Sequence, residues 1–123
     1  MTSSAQHLGR TWELRAAEYL RERGLTILLH GYRCRLGEID LVVEDDSTVV
    51  IVEVRARKAT SFGKAVETIG AAKQRRITRT ARHLLMRNPG WFERPIRFDV
   101  MAIDAIDSPD PKFTWVRNAF DAT

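Results

Sequence analysis

Apolar residues recur at two spacings along this chain, helical in some stretches and alternating in others. Leu8, Trp12, Ala16, Ala17, Tyr19 and Leu20 cluster on one side of a helix over 8–23, which Gly24 is placed to end. Residues 25–34 are rich in β-formers and read as one strand, with Gly31 a candidate bulge. A hairpin follows, with strands over 38–44 and 49–57 and a turn within 45–48. Residues 58–64 form a polar loop, and a second helix runs over 71–87 until Asn88-Pro89-Gly90 stops it. A further strand spans 96–103, and a short edge strand spans 113–116 after the loop at 108–111. This order predicts a mixed sheet packed against helices, because the helix between the third and fourth strands allows a crossover connection.

Alternation gives the hairpin two faces. Ile39, Leu41 and Val43 share one face of the first strand, and Val50, Val52, Val54 and Ala56 share one face of the second. That side is wholly apolar and should pack against a helix. The opposite face carries Glu38, Asp40, Val42 and Glu44, and on the second strand Val49, Ile51, Glu53, Arg55 and Arg57. A two-residue loop at Asp46-Ser47 sets Asp40 opposite Glu53 and Glu38 opposite Arg55; a three-residue loop without a bulge separates the acids. Like charges facing each other across a ladder repel, so a facing pair needs an offset. Carboxylates, a backbone carbonyl, water and a phosphate would together suit magnesium or manganese. The alternative is a pair of separately solvated or arginine-paired acids.

The first helix bears on that choice. Winding it at about 100° per residue puts Glu13 about 20° from Leu20, near the middle of the apolar arc. An ionised carboxylate facing inward needs a partner. Arg33 or Arg35 is one candidate, and the hairpin acids with their metal are the other. On the second helix, Ile77, Ala81 and Leu84 share a face opposite Arg75, Arg79 and Arg82, while Lys73 lies about 40° from Ile77. Lys73 therefore either projects toward the sheet or snorkels as a structural lysine.

Length and composition narrow the class. A chain of 123 residues fits one domain. Its apolar runs are far shorter than the roughly 20 residues that span a bilayer, and no signal-peptide pattern opens it, so a cytoplasmic protein with no membrane contact is expected. The lone Cys34 has no partner for a disulfide or a zinc site and is expected to be a strand residue. Net charge is +4 but unevenly spread: residues 55–87 hold ten Lys or Arg against one acid, Glu67, while the remainder holds ten against fifteen. A basic block in an otherwise acidic chain suggests a polyanion site built from Arg57, Lys58, Lys64, Lys73, Arg75, Arg76, Arg79 and Arg82. Nucleic acid is the expected partner, and a solvated helix face is the alternative.

The motifs together resemble the YraN family of small bacterial proteins, which belongs to the PD-(D/E)XK nuclease superfamily and is similar to archaeal Holliday junction resolvases. The likeness is carried by GRTWELRAAEYL with Glu13, YRCRLGEIDLV with Glu38 and Asp40, IVEVRAR with Glu53, FGKA, KQRRI with Lys73, IRFDVMAID with Asp99, and VRNAF. It implies an α/β fold, a restriction-endonuclease-like mixed β-sheet flanked by α-helices. It also implies a divalent-metal-dependent DNA endonuclease acting on branched or distorted DNA. Asp40, Glu53 and the Val54 backbone carbonyl would hold Mg²⁺ or Mn²⁺, with Glu13 the helix-borne acid and Glu38 adjacent. Asp99 is expected to be structural, pairing with Arg97 or the sheet edge. Analogy with the resolvases implies a homodimer.

Position 55 departs from the superfamily pattern, which has a lysine there. Arginine keeps the positive charge and bidentate phosphate contacts but is a poor proton-transfer group. Arg55 would thus stabilise charge on the scissile phosphate, with Lys73 or Lys58 candidates for the rest of the lysine's role. A second reading follows from the same departure: a nucleic-acid-binding module that keeps the nuclease fold without turnover. A third is a protein-interaction domain whose basic surface maintains solubility.

Overall fold

A glycine and an aspartate interrupt the predicted strands, and the interruptions shape the molecule. The structure, a computed structural model, describes residues 4–60 and 69–121, with side chains from residue 9 onward. In chain order the elements are α1 (Ser4–Glu22), β1 (Thr26–Leu29), β2 (Tyr32–Cys34), β3 (Gly37–Ile39), β4 (Leu41–Asp45), β5 (Thr48–Ala56), α2 (Ala71–Met86), α3 (Pro89–Phe92), β6 (Ile96–Asp104) and β7 (Lys112–Phe120). The stretch 25–34 is therefore two strands, broken at His30-Gly31 where Gly31 takes a φ of 130°. Residues 38–44 are likewise divided, by Asp40.

Five strands form one sheet in the order β1-β4-β5-β6-β7. β5 and β6 run parallel, joined by the crossover through α2, and the other neighbours are antiparallel. This is the restriction-endonuclease-like architecture. β7 is longer than the short edge strand expected at 113–116, because it pairs with β6 from Asp104 to Phe98 across a bulge. The predicted stop at Asn88-Pro89-Gly90 holds for α2, but Pro89 then starts the short helix α3. Within α3, Trp91 packs on the core while Phe92 stays exposed. No helix among the described residues is long and apolar enough to cross a membrane.

The hairpin turn is the two-residue loop Asp46-Ser47, with Asp45 paired to Thr48. Asp46 adopts a left-handed φ of 53°, a conformation Asp tolerates better than most residues and two-residue turns demand. Even numbering across this turn keeps Val42 opposite Ile51 and Leu41 opposite Val52.

Both faces of the sheet are covered. Trp12, Ala16, Ala17 and Leu20 of α1 pack on Leu41, Val43, Val50, Val52, Met101 and Ile103. On the other face Ile77, Ala81 and Leu84 of α2 cover Val42, Val49, Ile51 and Phe98. The face read as the polar one is thus core for most of its length and leaves the hydrophobic layer only at Glu53. Ile39 also packs on the α2 side rather than with Leu41 and Val43, because the break at Asp40 reverses the alternation.

A separate two-stranded ribbon, β2-β3, lies against α2. Its register sets Arg33 opposite Glu38, and the two side chains form an ion pair of 2.7 Å. Glu38 therefore faces Arg33, not Arg55 as strand continuity suggested. Behind the sheet, fully buried Asp99 accepts hydrogen bonds from Arg97, Trp115 Nε1 and the Asn118 amide, confirming its structural role.

The ribbon reaches α2 closely because Gly37 has no side chain: a Cβ there would stand 2.8 Å from Thr80 Oγ1, and its φ of 151° disfavours L side chains. Gly37→Ala is expected to lower stability by about 1–3 kcal/mol in urea unfolding. Adding Thr80→Ala should recover part of that loss, as coupling between touching residues requires.

Candidate active site

The site is built where β4 ends. Asp40 leaves the strand path and its Oδ2 accepts a hydrogen bond of 2.8 Å from the Val54 amide. A residue's N–H and C=O point to the same neighbouring strand, so the Val54 carbonyl is directed toward Asp40 as well. Glu53 precedes Val54 on β5, and only 9% of it is exposed. The hairpin register thus brings Asp40 and Glu53 together as the even-numbered turn required.

Glu13 joins them from α1. The charge of Asp40 acts on Glu53 and that of Glu13 on Asp40, so the three acids form a chain of interacting charges. Neither Arg33 nor Arg35 is Glu13's partner; Arg33 is held by Glu38, and Arg10 on α1 is the cation whose charge acts on Glu13. Lys73 reaches down from α2, its Nζ 3.0 Å from Glu53 Oε1, which settles its direction toward the sheet.

Two clefts open on this chain of acids. One, of about 580 Å³, runs between α1 and the ribbon past Arg10, Glu13, Tyr32, Arg33, Glu38 and Asp40. The other, of about 380 Å³, is walled by Gly37, Glu38, Asp40, Glu53, Lys73 and Arg76. Glu38 and Asp40 form the wall common to both. Glu38 itself is largely exposed, at the rim rather than beside Glu53.

The basic block divides accordingly. Lys73 and Arg76 lie on the ridge of α2 that faces the acids, whereas Arg75, Arg79 and Arg82 are exposed, roughly 180–240° around the helix from Lys73. Arg55 lies two residues beyond Glu53, half-buried and level with Ala102 of β6; Arg57 and Lys58 follow at the strand's end. None of these three is among the described residues that wall the clefts. Lys64, within the FGKA motif, lies outside the described residues. Sequence reading missed Arg10, whose place one helical turn before Glu13 was the available signal.

Electrostatics follow from burial. Desolvation pushes the Glu53 carboxyl up to about 7, with the Asp40 charge adding to the rise and Lys73 opposing it. Asp40 is raised to about 6, chiefly by burial and against the pull of the Val54 amide. Glu13 is raised as well, again mainly by desolvation.

The donor chemistry fits a hard divalent ion. Among the described residues no three His, Cys, Asp or Glu side chains are grouped so as to hold an ion; Asp40 accepts from Val54 and Glu53 pairs with Lys73. An open site of two carboxylates and a carbonyl, completed by water and phosphate, is nonetheless what magnesium commonly accepts.

Raised carboxyl pKa values have a signed consequence. Each group's contribution to stability is full below its unfolded value near 4 and is lost as pH rises through its folded value, here about 6 and about 7. Without divalent cations, stability should fall between about pH 4 and about pH 7. The double variant Asp40→Asn/Glu53→Gln should lose less over that range, by on the order of 2 kcal/mol in chemical denaturation. Parallel pH profiles for the two proteins would contradict this.

Comparison with known proteins agrees with the motifs. The family model described as uncharacterised protein family UPF0102 matches residues 12–103. A UPF0102 protein of Nitrosomonas europaea is 48% identical over 119 residues, covering 97% of this chain and 98% of that protein. Others from Pseudomonas fluorescens and Pseudomonas aeruginosa are 40% and 42% identical, with at least 96% of each chain covered. With its acids, ribbon and crossover helix all inside the matched span, the chain belongs to UPF0102, the YraN family.

Proposed function

We propose that this protein is a divalent-metal-dependent endonuclease that hydrolyses phosphodiester bonds in DNA, with branched or distorted DNA as its preferred substrate. The observation that carries this reading is the meeting of buried Asp40 and Glu53 in a cleft whose far wall is a basic helix ridge, with Glu13 beside Asp40 in the adjoining cleft. Hydrolysis attaches the oxygen of water to phosphorus, breaks one P–O ester bond, and leaves a phosphomonoester and a hydroxyl. Mg²⁺ or Mn²⁺, when bound, would supply a Lewis acid for the phosphoryl group and an activated water.

The chain's own residues do the rest. Asp40 and Glu53, with the Val54 carbonyl, would provide the oxygen ligands, and the Val54 amide fixes the Asp40 carboxylate in place. Glu13 adds negative charge from the α1 side. Arg10 and Arg33 in one cleft and Lys73 and Arg76 in the other give a polyanionic strand cationic contacts on both sides of the acids. The exposed row of Arg75, Arg79 and Arg82 extends the positive field and would draw DNA from solution.

The arginine at position 55 favours a second reading, a nucleic-acid-binding module without turnover. Cleavage assays on single-stranded, linear duplex and four-way-junction DNA with Mg²⁺ or Mn²⁺ separate the two. Metal-dependent cutting is expected, falling at least about 100-fold in Asp40→Ala and Glu53→Ala. Cutting that persists in both variants would refute the site assignment. Salt-sensitive binding without any cutting would establish the second reading instead.

A further inference from the structure

Two cations are candidates to meet the charge that would build on a phosphate held against Asp40 and Glu53. Arg55 follows Glu53 on β5, and Lys73 arrives from α2. Alternate residues of a strand are roughly 6.5–7 Å apart, so the Arg55 backbone is one full repeat beyond the acid, at the level of Ala102. Lys73 Nζ already stands 3.0 Å from Glu53 Oε1. Lys73 and Arg76 are the cations among the described residues that wall the cleft containing both acids.

Exposure orders the pair as well as distance does. The Lys73 side chain is 48% exposed and that of Glu53 is 11% exposed, so the ammonium lies toward the mouth with the carboxylate beneath it. A phosphate entering the cleft of about 380 Å³ would meet Lys73 before Glu53. The helix that carries Lys73 is firmly anchored, because Ile77, Ala81 and Leu84 bury its inner stripe and Thr80 touches the ribbon beside Gly37. The lysine's flexible stem lets its ammonium move from one oxygen partner to another, whereas its helical origin stays put.

The geometry points to Lys73, delivered by α2, as the cation that meets the non-bridging oxygens of the phosphate being cut, in the place that Arg55 would fill by sequence pattern. This assignment rests on the endonuclease reading and adds to it the identity of the phosphate-facing group. In the free protein Lys73 neutralises Glu53. Lys73 would leave that carboxylate for the phosphate if Glu53 held a divalent ion, so lysine and metal would compete for Glu53.

That competition gives a readout independent of cleavage. Free Mn²⁺ measured by electron paramagnetic resonance, without DNA, should show Lys73→Met binding the ion about 3- to 10-fold more tightly than wild type, as expected for removing one partly exposed ion pair. Arg55→Met should stay within about twofold. In single-turnover cleavage at saturating Mn²⁺, Lys73→Met should fall about 100-fold or more, Lys73→Arg should retain part of the rate, and Arg55→Met should fall less than about 10-fold. Unchanged Mn²⁺ affinity in Lys73→Met, or a larger rate loss in Arg55→Met than in Lys73→Met, would overturn the assignment while leaving the endonuclease reading intact. Failure of the wild type to bind Mn²⁺ would bring down that reading and this assignment with it.

Discussion

The hydrogen bond from the Val54 amide to the Asp40 carboxylate is the constraint around which the rest is arranged. A strand that continued through Asp40 would offer a backbone carbonyl to its neighbour; here a side chain accepts instead, and the ladder between β4 and β5 ends at Leu41 and Val52. Because the chain departs at that point, residues 37–39 are free to pair with 32–34 as a ribbon rather than lengthen the sheet. The departure also turns Ile39 to the α2 side and Glu38 outward to Arg33. One bond thus locates an acid, opens the two clefts beside it and sets the ribbon that divides them.

Holding two carboxylates together beneath a helix is costly, and the surroundings show how it is tolerated. Desolvation raises both groups, with the charge of Glu13 adding to Asp40 and that of Asp40 to Glu53, while the Val54 amide lowers the first and Lys73 the second in part. The core on either side keeps the arrangement from relaxing. Val42, Val49 and Ile51 under α2, and Leu41, Val50 and Val52 under α1, fix both strands from opposite faces. Asp99 and Arg97 act similarly farther along, tying β6 to β7 and, through Asp45, to the hairpin end. The strain of the acids is therefore borne by a frame that has little freedom to move, which is how a site can keep groups poised for a ligand.

Much of this was legible along the chain. Periodicity located α1 and α2 because each buries an apolar stripe, and runs of β-forming apolar residues located β4, β5 and β6, which are buried on both faces. The acids stood out because they interrupt such stripes: Glu13 within an apolar arc and Glu53 within a run of valines. The break at Gly31 was legible only as a candidate bulge, and the division at Asp40 was not legible. Alternation continues across Asp40 in the sequence, and nothing local reports that its side chain replaces a backbone acceptor fourteen residues away in the chain. Likewise the long β7 pairs with β6 through backbone groups that every residue carries, so composition marks only its apolar centre.

The chain by itself determined which residues are able to do chemistry: carboxylates placed where apolar residues belong, a basic helix after a hairpin, and an arginine at position 55. Those follow from side-chain type and spacing, which are local properties. Only the tertiary structure decided which of them meet. It joined Glu13 to Asp40, set Arg33 on Glu38, turned Arg75, Arg79 and Arg82 away, and brought Lys73 to Glu53. The reason is that helix docking and the crossover between parallel strands fix distances between segments far apart in sequence, and no periodicity along one segment encodes the position of another.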